Sequence, residues 1–328
     1  GDDQNVFPYV DYDTYDRFDT SKLDQWEVLF EHADKLGMFL HFKTLEHENQ
    51  GLLDNGGTGL YTKLYYRELV ALNWNLAEET GDWTVTPPTF PIDVAERLRL
   101  AEYISSIDPY KHHIVIHNGD WFDGLYGTNS KFTGASLQTN KEDFRNVHKS
   151  VLRILNDSKE AGKIWAVACD EPGDAQHALI TDAEDPQHND ARKNGLWGAM
   201  MAGAWGTEWD FRSRDLFWDQ GRWCLEFFNN NQIPVWEMES MDALISSEGD
   251  YVLAKPGSIY VVYLKNGGES SLDLGNDNVA YQLQWYNPRK GGALQKGKVK
   301  TISGSGKKSL GMPPKEKDQD WVVLVSKS

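Results

Sequence analysis

Apolar positions along this chain alternate between two periods. Leu23, Trp26, Phe30, Ala33 and Leu36 recur at helical spacing behind Ser21, a residue suited to capping a helix, and Gly37 follows as its stop. The run MFLHF at 38–42 comes straight after and reads as a strand. The alternation then repeats: a helix near 61–70, the strand LNWNL at 72–76, a helix over 94–107 and the strand HIVIH at 113–117. GASLQ at 134–138 is a strand, 141–161 a long helix, IWAVAC at 164–169 a strand, 190–202 a helix, GAWGTEW at 203–209 a strand and 214–228 a helix. Strand alternating with helix predicts a parallel sheet covered by helices.

From about residue 242 the texture changes to short apolar runs, YVLAK, IYVVYL, YQLQWY and DWVVLV, separated by Gly-rich turns. Short strands between tight turns predict a small antiparallel β-sandwich. The expected organisation is an α/β domain over residues 1–241 and a C-terminal sandwich over 242–328. The first shows six strands, whereas a closed (β/α)8 TIM barrel has eight, so the expectation is either two further units upstream of Gly1 or an open sheet. Two joins are abrupt, YYRELVA into LNWNL and WDF into RSRD. Helix-to-strand connections usually take about two to six residues, so short missing segments are expected at 71/72 and 211/212.

Charge narrows the partners. Asp and Glu number 50 against 33 Lys and Arg, a formal net charge of −17, which opposes binding to nucleic acid or to anionic membrane surfaces. No apolar run reaches the roughly 18 residues of a membrane span, so no membrane insertion is expected. The chain opens on GDDQN rather than on a signal peptide. Cys169 and Cys224 give neither a disulfide framework nor metal-ligand spacing and are expected to be buried thiols. Thirteen Trp offer flat amphipathic rings suited to the faces of sugars, although most are expected in the core.

In parallel α/β barrels the functional groups stand at the carboxyl ends of the strands. Read there, the chain gives Glu46, His47 and Glu48, then Asn75, Glu78 and Glu79, then His117, Asn118, Asp120 and Trp121. Gln138 and Asn140 follow, then Asp170 and Glu171, then Glu208 and Trp209. Amides and carboxylates take paired hydrogen bonds from vicinal hydroxyls while indoles stack on C–H faces, so this ring suits a neutral carbohydrate better than a phosphate. Cleaving a glycosidic bond needs one carboxylic acid to protonate the leaving oxygen and one carboxylate to attack or to activate water. Glu79 and Glu171 fit these two roles. Trp74, Asn75, Glu78, Glu46, His117, Asn118, Trp121, Gln138, Glu208 and Trp209 are the expected substrate contacts. Asp170 alternates to the opposite strand face and reads as structural.

WNLAEE at 74–79 resembles the strand-four signature of clan A glycoside hydrolases, commonly W-x-L-G-N-E, whose final Glu is the acid/base. ACDEPGD at 168–174 closes a strand three units later, where that clan has its nucleophile. The resemblance implies a TIM barrel and a retaining mechanism with Glu79 as acid/base and Glu171 as nucleophile, with no cofactor and no metal. KLYYRELVA, HHIVIHNG, RSRDLFWDQ and WEMESMDAL are similar to stretches of a group of secreted bacterial proteins. In that group a β-sandwich precedes such a barrel, and the C-terminal module carries the label of a collagen-binding domain of a collagenase. QWYNPRKGG at 284–292 and DQDWVVLVSK match the module's motifs. A secreted, extracellular or periplasmic protein acting on a plant, algal or bacterial polysaccharide is the implied function. Glu78 stands where the clan has Asn, and Ala77 where it has Gly.

Other chemistries fit these residues less well. HHIVIH puts His113 and His117 on one strand face about 13 Å apart, too far to share zinc, and neither H-E-x-x-H nor its second His is present. The acidic opening with Asp11, Asp13 and Asp16 lacks the Gly and terminal Glu of a calcium loop. TDAEDPQHND at 181–190 reads as a surface loop able to offer Asp185 or His188 to a ligand. Because of Glu78, the alternative function is a non-catalytic carbohydrate-binding or surface-assembly protein on a degenerate barrel. An open groove lined by Trp121, Trp205 and Trp209 would mean endo action, a closed pocket exo. Trp285, Tyr286 and Trp321 are expected in the sandwich core.

Overall fold

The computed structural model describes residues 10, 17, 19–38, 41–43, 73–75, 93–119, 121–139, 144–172, 189–204, 206–207, 215–276 and 278–328. The expected helix near 61–70, the joins at 71/72 and 211/212, the acidic opening with Asp11, Asp13 and Asp16, and the 181–190 loop lie outside these residues, apart from Asn189 and Asp190. The chain divides into two compact units, Gly1–Ser136 with Asp157–Ala166, and Leu137–Asn156 with Val167–Ser328.

In the first unit, α1 spans Thr20–Lys35. Its cap is Asp19 rather than Ser21: the Asp19 carboxylate accepts from the Ser21 amide at 3.1 Å and from the Ser21 hydroxyl at 2.6 Å. Ser21 spends its hydroxyl on that carboxylate, so the acid two residues earlier closes the helix start. At the other end the Met38 amide bonds the Ala33 carbonyl and Gly37 bonds Asp34. Gly37 adopts φ +70°, the left-handed stop expected of it. Helix α2, Val94–Ile107, is capped by Asp93, whose side chain accepts from the Glu96 amide at 2.8 Å. It buries Arg97, Leu100, Ala101 and Ile104, one face at spacings of three and four residues.

Strands β1 (His41–Lys43), β2 (Asn73–Asn75) and β3 (His113–Val115) form a parallel sheet with β2 in the middle, His41 level with Asn73 and Asn73 with His113. The expected strand 113–117 is interrupted at Ile116, so that β4, His117–Asn118, joins a second sheet of order β4-β5-β6-β7. There β5 is Gly134–Gln138, β6 Ala166–Glu171 and β7 Gly206–Thr207, and β6 runs parallel to β7. Gly134 is where two backbones approach closely. A Cβ there would overlap the Ala166 carbonyl oxygen and lie 2.6 Å from the His113 ring. Gly134→Ala is expected to cost roughly 1–3 kcal/mol, read as a lower urea midpoint; an unchanged midpoint would show that the strands yield.

In the second unit, a 3-10 turn at Phe144–Asn146 leads into α3, Val147–Glu160. The expected helix 190–202 is two structures: π-helix over Ala191–Leu196, then α4, Trp197–Ala202. Helix α5 spans Asp215–Asn230. The C-terminal region is an antiparallel sheet of six strands, order β13-β12-β15-β10-β9-β8. Its strands are β8 Glu239–Ser240, β9 Tyr251–Lys255, β10 Ile259–Leu264, β12 Ala280–Tyr286, β13 Thr301–Ser303 and β15 Trp321–Lys327. A two-stranded ribbon of β11, Ser270–Asp273, and β14, Lys307–Gly311, forms a separate layer.

This sheet is covered on both sides. One face, with Val252, Tyr260, Val262, Trp285, Trp321 and Val323, packs with Leu272 and Leu310 of the ribbon. The other, with Tyr251, Val261, Tyr263, Tyr286, Val322 and Leu324, packs with Trp197 and Met201 of α4 and with Cys224, Phe227 and Phe228 of α5. Double coverage explains why IYVVYL is apolar throughout and buried at every position rather than at alternate ones. Trp285, Tyr286 and Trp321 are 0%, 2% and 0% exposed, so they are core, as expected. Cys169 and Cys224 are both buried and not in a disulfide.

Candidate active site

Polar side chains meet at the described strand ends within each unit, His117 with Ser136 in the first and Gln138 with Glu171 in the second. Alternation along β5 puts Gly134, Ser136 and Gln138 on one face. The Ser136 hydroxyl meets Nδ1 of His117 at 2.9 Å, and Nε2 of Gln138 donates to Oε1 of Glu171 at 3.0 Å. Strand β6 reaches two residues further than the sequence indicated, so Asp170 and Glu171 are its last two positions. They therefore alternate: Asp170 is buried and Glu171 is half-exposed. The Thr139 amide donates to the Glu171 carbonyl at 3.0 Å, fixing the register at the point where the carboxylate emerges.

Asn118 donates from Nδ2 to the Trp121 carbonyl at 3.2 Å, which closes the turn carrying the half-buried Trp121. His117 and Asn118 are both 0% exposed. A group without accessible surface acts on a ligand only through its neighbours. Trp74 and Asn75 lie on β2, level with Ile114 and Val115 of β3. Glu78 and Glu79 follow three and four positions after β2, Glu46 three after β1, and Glu208 and Trp209 directly after β7. These five, with Trp205, lie outside the described residues.

The structure also assembles buried charge that the sequence did not announce. Arg192, inside the π-helix, donates from Nε to Asp320 at 2.9 Å and from its second nitrogen to the other oxygen at 2.9 Å, both side chains being 0% exposed. The Tyr263 hydroxyl donates to Asp320 at 2.7 Å, and Arg289 bonds both the carbonyl and carboxylate of Asp320. Burial alone would raise the Asp320 carboxyl, but the Arg192 hydrogen bond and charge hold it below the usual carboxylate range. Burial pushes the Tyr263 hydroxyl well above its ordinary value, with Asp320 adding to the effect. Nearby, His148 bonds the Gly198 carbonyl at 2.8 Å and Asp242 at 2.7 Å and stacks on Tyr251, ring centroids 3.9 Å apart. The sequence signals were an arginine near the start of the 190–202 helix and an Asp directly before WVVLV.

Among the described residues no cluster of three or more His, Cys, Asp or Glu could hold a metal ion, and no helix is long and apolar enough to cross a membrane.

Residues 240–326 match the family model described as "Putative collagen-binding domain of a collagenase". No curated protein matches the chain in sequence. Among solved structures, the chain is similar to a glycoside hydrolase at a TM-score of 0.67 and 15% identity, covering 100% of this chain and 81% of that one. It is also similar to a glycoside hydrolase family 5 protein from Bacteroides vulgatus at a TM-score of 0.68 and 15% identity, covering 99% of this chain and 78% of that one. At this identity the likeness establishes a shared fold: a mixed α/β body with a C-terminal antiparallel sheet, whose structural neighbours are glycoside hydrolases.

Proposed function

We propose that this chain is a secreted, retaining glycoside hydrolase acting on a plant, algal or bacterial polysaccharide, with Glu171 as nucleophile and Glu79 as acid/base. In this reading residues 1–241 are the catalytic domain, built on a (β/α)8 barrel, and residues 242–328 are a β-sandwich that supports it. One observation carries the reading: a half-exposed carboxylate, Glu171, stands at the carboxyl end of a parallel strand and is gripped by an amide from the neighbouring strand. That is where barrel enzymes keep their reacting groups. The position of Glu79, four residues after a parallel strand, and the shared fold with glycoside hydrolases support it further.

The chemistry follows from two carboxyl groups. Glu171 attacks the anomeric carbon as Glu79 transfers its proton to the leaving oxygen, so the glycosidic bond breaks while a glycosyl ester forms. Glu79, now ionised, then takes a proton from water, whose oxygen displaces Glu171 and restores it. Retention requires the carboxyl groups to stand about 5 to 5.5 Å apart, against roughly 6.5 to 9.5 Å for inversion. Proton NMR of the first products from a hydrolysed glycan is expected to show the anomeric configuration of the substrate. Inverted product appearing first would overturn the nucleophile assignment, and absence of hydrolysis across plant, algal and bacterial polysaccharides would overturn the enzyme reading.

A further inference from the structure

We infer that Gln138 is a positioning residue for the Glu171 carboxylate rather than a sugar contact, an inference that rests on the reading of Glu171 as nucleophile. Three observations carry it. The Gln138 amide nitrogen lies 3.0 Å from Oε1 of Glu171, and Gln138 is only 8% exposed, so its side chain is held by packing and not free to follow a ligand. The Thr139 amide bonds the Glu171 backbone carbonyl at 3.0 Å, so Glu171 is tied to β5 by its main chain at Thr139 and by its carboxylate at Gln138. The hydroxyl of Ser136, on the same face of β5, meets His117, itself wholly buried, which anchors the strand that presents the amide.

The chemical type of the donor matters as much as its place. An ionised carboxylate only accepts hydrogen bonds, so the amide turns its nitrogen toward Glu171 and fixes the rotation of the carboxylate plane. The amide is neutral. When Glu171 becomes an ester its negative charge disappears, and a neutral donor loses less on that change than a cation would, because charge-assisted bonds are the stronger ones. Gln138 therefore orients the attacking group without holding it back by ion pairing.

The test uses the full chain and a panel of 2,4-dinitrophenyl β-glycosides, comparing wild type with Gln138→Met, Gln138→Glu and Glu171→Gln. Gln138→Met keeps the length but removes the donor. It is expected to lower kcat about 10- to 100-fold with KM changed less than about threefold, since a small misplacement of a reacting group is costly. Gln138→Glu sets two carboxylates side by side, which cannot both ionise readily, so the acidic limb of its kcat/KM profile should move up by about one pH unit or more. A Gln138→Met enzyme that keeps kcat within twofold, or loses only KM, together with an unmoved acidic limb in Gln138→Glu, overturns the positioning role. The parent reading fails separately: Glu171→Gln as active as wild type, or a wild type inert on every glycoside, would overturn it and this inference with it.

Discussion

Glu171→Gln is expected to lower kcat on the order of 10⁴-fold or more, because an amide oxygen cannot form the glycosyl ester and the two-step route is lost. Glu79→Gln should behave differently on different substrates. With natural glycans, whose leaving oxygen needs a proton, the loss should be on the order of 10²- to 10⁴-fold. With dinitrophenyl glycosides the leaving group departs unaided, so the first step survives and the slow step becomes attack by water. A burst of dinitrophenol followed by slow turnover should then appear. Added azide, a nucleophile that needs no general base, should speed turnover of Glu79→Gln and give a β-glycosyl azide from a β-glycoside. Equal losses for Glu79→Gln on both substrate types, with no response to azide, would sink the acid/base assignment even if Glu171→Gln proved inactive. The same experiment bears on Glu78, which stands beside Glu79 where the clan A signature commonly has Asn. If azide rescues Glu78→Gln instead, the two glutamates exchange roles.

The second large effect is on stability. Asp320→Ala should cost about 3 to 5 kcal/mol, because it leaves the fully buried Arg192 without its carboxylate partner in an apolar surround. Tyr263 and Arg289 lose a partner in the same step. Glu316→Gln is the matched control: it also bonds Arg289, but its side chain is 42% exposed, and the change should stay within about 1 kcal/mol. Urea unfolding of the three proteins decides it, and a midpoint for Asp320→Ala close to that of Glu316→Gln would overturn the argument. The cluster also sets an acid limit. The folded Asp320 carboxyl lies below its unfolded value near 4, so its contribution is fully present above that pH. It is lost as pH falls through the lower folded value. Wild type should therefore lose stability in acid below about pH 4, and Asp320→Ala should lose less over that range.

Both predictions rest on contacts of different origin, and the contrast shows what was legible beforehand. Helix α2 was readable to the residue because its signals are local: Asp93 caps, and Arg97, Leu100, Ala101 and Ile104 share a face through spacings of three and four. GASLQ was equally plain between its flanking turns, and β5 occupies those five residues. Local rules failed where two local solutions compete. Asp19 and Ser21 are both capping residues, and the hydrogen bond between them decides which closes the helix. HIVIH has one strand pattern but two sets of neighbours, so it is divided between two sheets at Ile116. The continuous apolar runs of the C-terminal region signalled strands correctly, while their meaning, a sheet buried on both faces, depends on α4 and α5 from earlier in the chain.

The sequence by itself determined the order and type of most elements, the change of texture near residue 242, the absence of metal-ligand spacing, and the placement of Glu171 at a strand end. Tertiary structure alone decided that Gln138 reaches Glu171 across 33 positions and that Arg192 meets Asp320 across 128. The reason is physical. Helix and strand patterns are set by side chains within about four residues of one another, whereas the cost of burying an arginine or aiming a carboxylate is settled only when distant strands pack and exclude water.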